Sequence, residues 1–207
     1  MSITLCPSSQ FSDKIQHGYH YLYDMLFSKL QSSPINLLEI GVSTAREAGG
    51  TSLWMWKEYF VNGKVCGLDI DPACKFFERP DVPIYIGSQT DTQVLDTIVN
   101  ERGLFDIIID DGSHVNNYTI KTFNHLWKSI KPGGFYIIED LHCSYDDLPS
   151  HNVHKIWPGM KYNPENEIVN KREEIDQFLQ TQCHLLDAGK EFKAILAMPK
   201  IVAFIKQ

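Results

Sequence analysis

Apolar residues recur along this chain in two alternating rhythms. In "YHYLYDMLFSKL", Tyr19, Leu22, Tyr23, Leu26, Phe27 and Leu30 fall at steps of three and four, which predicts a helix with one buried face. Ser32, Ser33 and Pro34 end it. "INLLEIGV" is short and continuous and predicts a buried strand ending near Gly41. A helix over "SLWMWKEYF", opened by Gly49, Gly50 and Thr51, leads to a second strand, "KVCGLDI". "VPIYIG" is a third strand, stopped by Gly87. "TQVLDTIVNERG" carries Val94, Leu95, Ile98 and Val99 at helical spacing, and "FDIIID" is a fourth strand. Ile120, Phe123, Trp127 and Ile130 line one face of the next helix. Pro132-Gly133-Gly134 is expected to turn the chain into a fifth strand, "FYIIE".

Strands alternating with helices imply right-handed βαβ units and a parallel sheet covered on both faces. The end of the chain departs from that pattern. "FKAILAM" and "IVAFIKQ" are separated only by Pro199 and Lys200, too few residues for a crossover, so these two strands are antiparallel neighbours. The helix before them uses Ile175, Phe178 and Leu179. The expected fold is α/β, a doubly wound, seven-stranded Rossmann-like sheet with an antiparallel last strand. Residues 1–34 form a helical lead and 35–207 the main domain. A long irregular stretch precedes the last helix, and such stretches are more often functional than idle. Residues 146–168 are read as a lid, whose His151, His154, Trp157 and Tyr162 are candidates to contact an acceptor.

Composition narrows the function. A chain of 207 residues with 43% hydrophobic and 22% charged residues suits one soluble globular domain. Its net charge of −7, with no compensating Lys/Arg block, argues against a nucleic-acid partner. No apolar run approaches the roughly 18 residues of a membrane span. "MSITLCPSSQFSDK" lacks the basic and apolar regions of a secretory signal, so a cytoplasmic location is expected. Cys6, Cys66, Cys74, Cys143 and Cys183 form no C-x-x-C pair, which predicts free thiols in a reducing compartment.

In open parallel sheets, ligands bind beyond the carboxyl ends of the strands, near the point where strand order reverses. Here those ends are Glu39-Ile40-Gly41, Asp69-Ile70-Asp71, Gly87-Ser88-Gln89, Asp110-Asp111-Gly112 and Glu139-Asp140. Gly41 lets the backbone approach a ligand closely, and Asp69 can accept hydrogen bonds from ribose hydroxyls. The G-x-G-x-x-G of a nicotinamide enzyme is absent. A helix-capping loop and a solvated acid are the alternative reading of Gly41 and Asp69.

The acids after strands four and five are the stronger signal. Asp111, Glu139 and Asp140 converge if those strands are neighbours, and unpaired they would repel. A hard cation such as Mg²⁺ or Mn²⁺ resolves the repulsion, as would pairing with Lys or Arg or use as helix caps. Asp110 is either a cap or a cofactor contact. His114, three residues past Asp111, can remove a proton from a hydroxyl polarised by a metal, a contribution of roughly 10²–10⁴-fold in rate. Otherwise it is a helix N-terminal residue bonded to a backbone carbonyl.

"LLEIGV", "SLWMWKEYF", "GLDIDP", "FDIIIDDGSH", "KPGGFYIIEDLHCSY" and the N-terminal "SDK…HGYHYLYD" together resemble one family. It is the metal-dependent sugar O-methyltransferases of macrolide biosynthesis, of macrocin and mycinamicin type, related to the cephalosporin hydroxylase family and built on the class I S-adenosylmethionine (SAM) methyltransferase fold. The resemblance covers Ser12 to Tyr145. It implies SAM and Mg²⁺ as cofactors, with Asp111, Glu139 and Asp140 as metal ligands and His114 as base. It places Glu39 and Gly41 in the first SAM loop, Asp69 on the ribose, and Gln89, beside Gly87 and Ser88, at the adenine edge. His142, Ser144 and Tyr145 would border the acceptor, with His17 and Tyr19 nearby.

Two departures matter. "STAREA" lengthens the loop between Val42 and Gly49, and where the resemblance implies the N-terminal domain of the macrolide enzymes, a short helical lead is expected. The expected function is SAM- and Mg²⁺-dependent O-methylation of a sugar or glycosylated small molecule. A catechol-type O-methyltransferase is the nearest rival. A NAD-binding oxidoreductase is opposed by the missing glycine fingerprint. A catalytically idle SAM-binding protein is opposed by the retained Asp111, His114, Glu139 and Asp140. A homo-oligomer is left open.

Overall fold

The computed structural model describes residues 2–42, 49–144 and 170–207. Among these residues seven strands form one sheet: β1 (Asn36–Ile40), β2 (Lys64–Asp69), β3 (Ile84–Ile86), β4 (Phe105–Asp110), β5 (Ile130–Ile138), β6 (Phe192–Met198) and β7 (Ile201–Lys206). Their spatial order is β3-β2-β1-β4-β5-β7-β6. The first five strands run parallel, and β7 is antiparallel to both β5 and β6. The α-helices are α1 (Asp13–Gln16), α2 (His20–Phe27), α3 (Thr51–Tyr59), α4 (Thr92–Arg102), α5 (Asn116–Leu126) and α6 (Arg172–Asp187).

Side chains alternate across the central strands, so each strand feeds two cores. Leu37, Val65, Ile107, Ile109 and Ile137 face α2 and α3, where Tyr23, Phe27, Trp56 and Phe60 form an aromatic cluster. Leu38, Cys66, Leu68, Ile108 and Tyr136 face α4, α5 and α6, whose Leu95, Phe123 and Phe178 close the other side. Residues Ile3, Tyr19, Leu22 and Phe27 of the N-terminal lead share the first core with the sheet. All five cysteines are free thiols. Among the described residues no helix is long and apolar enough to cross a membrane.

Two sequence expectations need correction. Pro132-Gly133-Gly134 lies inside β5 and does not precede it. Phe105 pairs with Ile130 and Ile107 with Phe135, so the extra residues bulge from the ladder, with Gly133 at φ +77°. Ile130 consequently belongs to β5, not to the apolar face of α5, which ends at Leu126.

Register sets the height of the strand ends. Ile40 pairs with Asp110, and Asp110 with Ile138. The ladder then continues one step further, through Gly41 N to Leu68 O, Asp111 N to Ile40 O, and Glu139 N to Asp110 O. Gly41, Asp111 and Glu139 therefore leave the sheet at one level, around the β1–β4 boundary where strand order reverses.

Candidate active site

The centre of the acid cluster is a lysine. Ser12 caps α1 by accepting from Lys14 N, and the Lys14 side chain runs inward, 1% exposed. Its Nζ lies 3.1 Å from Glu39 Oε1, 2.8 Å from Asp111 Oδ2 and 2.7 Å from Glu139 Oε2. The ammonium thus donates to Asp111 and Glu139 and pairs with Glu39, joining carboxylates from the ends of β1, β4 and β5. Burial pulls the Lys14 pKa down, but the three carboxylates overcome it and hold the value well above normal. Glu39 also accepts from Ser52 Oγ at 2.8 Å and Trp56 Nε1 at 3.2 Å. Glu139 receives the Tyr23 hydroxyl on its other oxygen. Burial drives the Glu139 carboxyl well above the usual range against the pull of Lys14.

Beside this buried knot lies a more open corner. One ligand atom each from Asp111, His114 and Asp140 lie within 4.8 Å of one another. His114 Nε2 is 3.6 Å from Asp140 Oδ2 and 4.0 Å from Asp111 Oδ1. Asp140 Oδ1 accepts from the Tyr19 hydroxyl and lies 3.5 Å from His17 Nδ1 and 3.8 Å from His142 Nδ1. Burial opposes ionisation of Asp140, yet His114, the Tyr19 hydrogen bond, His142 and His17 together hold its carboxyl below the usual range. Asp111 is pushed upward by burial, which outweighs Lys14 and His114. All three members of the corner keep partial exposure, 13–20% of their side chains.

The surrounding loops are fixed by specific bonds. Gly41 has φ +92°, and a Cβ there would stand 1.9 Å from Asp111 O. Its missing side chain makes room for the β4 loop, where the sequence suggested a ligand. Asp69 accepts from Val42 N at 2.8 Å and Asp71 N at 2.9 Å. Gly87 N donates to Asp69 O, and Ser88 Oγ accepts from Thr90 N. Gln89 is committed to protein: its amide nitrogen reaches Asp110 Oδ1 and Thr122 Oγ1, each at 3.2 Å, and its oxygen accepts from Ser113 N. Burial pushes the Asp110 carboxyl up to about 6, against His114 and bonds from Gly112 N, Tyr136 and Gln89. Ser144 donates to Asn116 Oδ1 at 2.5 Å. Tyr145, the lid 146–168 and the loop 43–48 lie outside the described residues.

Lys14, Tyr23 and Asn170 carry roles that the sequence did not reveal. Asn170 braces the corner, donating to His114 O at 2.7 Å and Cys143 O at 3.1 Å while accepting from Asn116 N. A lysine opening a short helix reads as solvent-facing. Only its contacts with residues 97 and 125 positions away expose its role.

Strand order, the antiparallel β7 and an acidic corner at the switch point describe one known architecture. The fold is that of the class I SAM-dependent methyltransferases. Comparison with known proteins narrows this. No protein-family model matches the chain. It is 38% identical over 138 residues to 8-demethyl-8-(2-methoxy-alpha-L-rhamnosyl)-tetracenomycin-C 3'-O-methyltransferase of Streptomyces olivaceus, a match covering 65% of this chain and 35% of that protein. It is 38% identical over 145 residues to mycinamicin VI 2''-O-methyltransferase of Micromonospora griseorubida, covering 69% and 33% respectively. The solved MycE methyltransferase of the mycinamycin pathway, in complex with Mg, SAH and mycinamycin VI, superposes with a TM-score of 0.77 at 28% identity. That match covers all of this chain and 54% of the MycE chain. The chain is thus related to sugar O-methyltransferases, and its sequence match spans about a third of the length of those curated relatives.

Proposed function

We propose that this methyltransferase-fold chain transfers the methyl group of SAM to a hydroxyl of a sugar or glycosylated small molecule, with Mg²⁺ or Mn²⁺ in the acidic corner. The observation that carries the reading is the approach of Asp111, His114 and Asp140 at the carboxyl end of β4 and β5. Two carboxylates and an imidazole, partly open and on the cofactor side of the sheet, suit a hydroxyl-activating site. Similarity to sugar O-methyltransferases supports the acceptor class.

The residues fit both cofactors. Asp111 and Asp140 present oxygen donors to a hard cation, with Glu139 behind them at the Lys14 knot. A cation held there supplies Lewis-acid polarisation of the acceptor hydroxyl. Asp69, at the carboxyl end of β2, accepts from Val42 N and Asp71 N, and a carboxylate at that place suits the hydroxyls of a ribose. SAM supplies a methyl on a positively charged sulfur.

The chain's own part is proton removal and alignment. His114 Nε2 takes the hydroxyl proton, and Asp140 and Asp111 stabilise the resulting imidazolium. The left-handed backbone of His114, tied by Asn170, fixes the ring's direction. His17, Tyr19 and His142 gather around Asp140 and would border the acceptor. Gly41 and Gln89 hold the β4 loop at its height and so fix where Asp111 and His114 stand, the kind of positioning that would lower the barrier to transfer. The test is transfer of labelled methyl from SAM to pooled nucleotide-sugars, glycosides, deoxysugar macrolides and catechols. Label in a sugar-bearing acceptor is the expected result, and label only in catechols overturns the acceptor class.

A further inference from the structure

Lys14 has no part in the reaction just described, yet its ammonium sits among the acids on which that reaction depends. It donates hydrogen bonds to Asp111 and Glu139 and forms an ion pair with Glu39. Two of these, Asp111 and Glu139, belong to the acids that would hold the divalent cation. A buried ammonium bonded in this way does the electrostatic work of a bound cation. It also repels a second cation at the same oxygens.

We propose that Lys14 is a positioning residue that competes with the divalent cation for Asp111 and Glu139. It holds the two carboxylates in register before the cation arrives and keeps cation affinity low enough for exchange. The inference rests on the cation reading above. Glu39 gives the ammonium somewhere to remain when the other two partners are taken. It is fully buried, lies 3.1 Å away, and is anchored independently by Ser52 and Trp56. Tyr23 likewise keeps Glu139 in place from its other oxygen. The flexible four-carbon stem of lysine permits a small retreat toward Glu39 without unfolding α1.

A purely structural tie and a competitor make opposite predictions. If Lys14 only fastens α1 to the sheet, removing it loosens the carboxylates and weakens cation binding. If it competes, removing it strengthens binding. The experiment is a Mn²⁺ titration, followed by electron paramagnetic resonance, of the wild-type chain, Lys14→Met and Lys14→Met/Glu139→Gln. Lys14→Met is expected to bind Mn²⁺ about tenfold tighter or more, and the added Glu139→Gln to return most of that gain. Unchanged or weaker affinity in a folded Lys14→Met protein overturns the proposal. Should Lys14→Met not fold, the wild type carries the test through its ¹⁵N-labelled lysine side chains. The buried Lys14 ammonium resonance should move as Mg²⁺ is added, and a resonance unmoved at saturation overturns the proposal. If wild type and variant both fail to bind Mn²⁺ at millimolar concentration, the cation reading itself falls. Equal binding by both removes only the role of Lys14.

Discussion

His114 Nε2 stands 3.6 Å from Asp140 Oδ2, and the two residues share a backbone peculiarity: both are non-glycine residues in the left-handed region, at φ 54° and 55°. Such conformations cost of order 1–3 kcal/mol each and persist only where the surroundings enforce them. Here Asn170 and the Tyr19 hydroxyl do so. Two strained residues facing each other at the end of β4 and β5 mark the corner as a place where geometry outranks stability.

His114→Ala should lower methyl transfer by about 10²–10⁴-fold, the usual weight of a general base. Affinity for S-adenosylhomocysteine, measured by calorimetry, should stay near the wild-type value. Transfer at the wild-type rate would remove His114 from the proton step.

Asn170→Ala should cut turnover while leaving cofactor affinity intact. It frees the His114 carbonyl and the Asn116 amide from their shared partner. The stability cost should be about 1–3 kcal/mol for buried groups left unpaired. Urea denaturation and single-turnover kinetics check the two halves separately.

Gly41→Ala should be among the most damaging single-methyl changes in the chain. The added Cβ would stand 1.9 Å from Asp111 O on a backbone at φ +92°. The expected loss is about 1–3 kcal/mol or more from overpacking, with further cost from the backbone. Activity should fall with it because Asp111 must move. A variant of wild-type stability would mean that the β1 and β4 loops do not meet in solution as described.

The cysteines offer a check on the cores. Burial pushes the Cys66 thiol up to about 12, and its side chain is fully enclosed, whereas Cys183 is exposed on α6. A disulfide reagent near pH 8 should modify Cys183 quickly and leave Cys66 intact until denaturant is added, as peptide mapping would show.

Much of this was legible in the sequence because the underlying rules are local. Continuous apolar runs gave the strands, steps of three and four gave the helices, and the two-residue link at Pro199-Lys200 gave the antiparallel pair. The acids at the ends of β4 and β5 followed from the rule that ligands gather at strand carboxyl ends. What stayed hidden depends on contacts across the chain. Lys14 reaches carboxylates at the ends of three strands, Gln89 locks onto Asp110 and Ser113, and Gly41 yields its space to Asp111. No periodicity encodes such meetings. A turn motif and a bulge within a strand use the same residues, so Pro132-Gly133-Gly134 reads as a turn in the sequence and is a bulge inside β5 in the structure.

The most direct test of the central claim is methyl transfer from labelled SAM to a glycoside acceptor, with Mg²⁺ and then with EDTA. A cation-assisted corner of Asp111, His114 and Asp140 predicts that EDTA abolishes transfer and that added Mg²⁺ or Mn²⁺ restores it. Transfer that persists unchanged in EDTA would contradict the account and return the three side chains to a structural role.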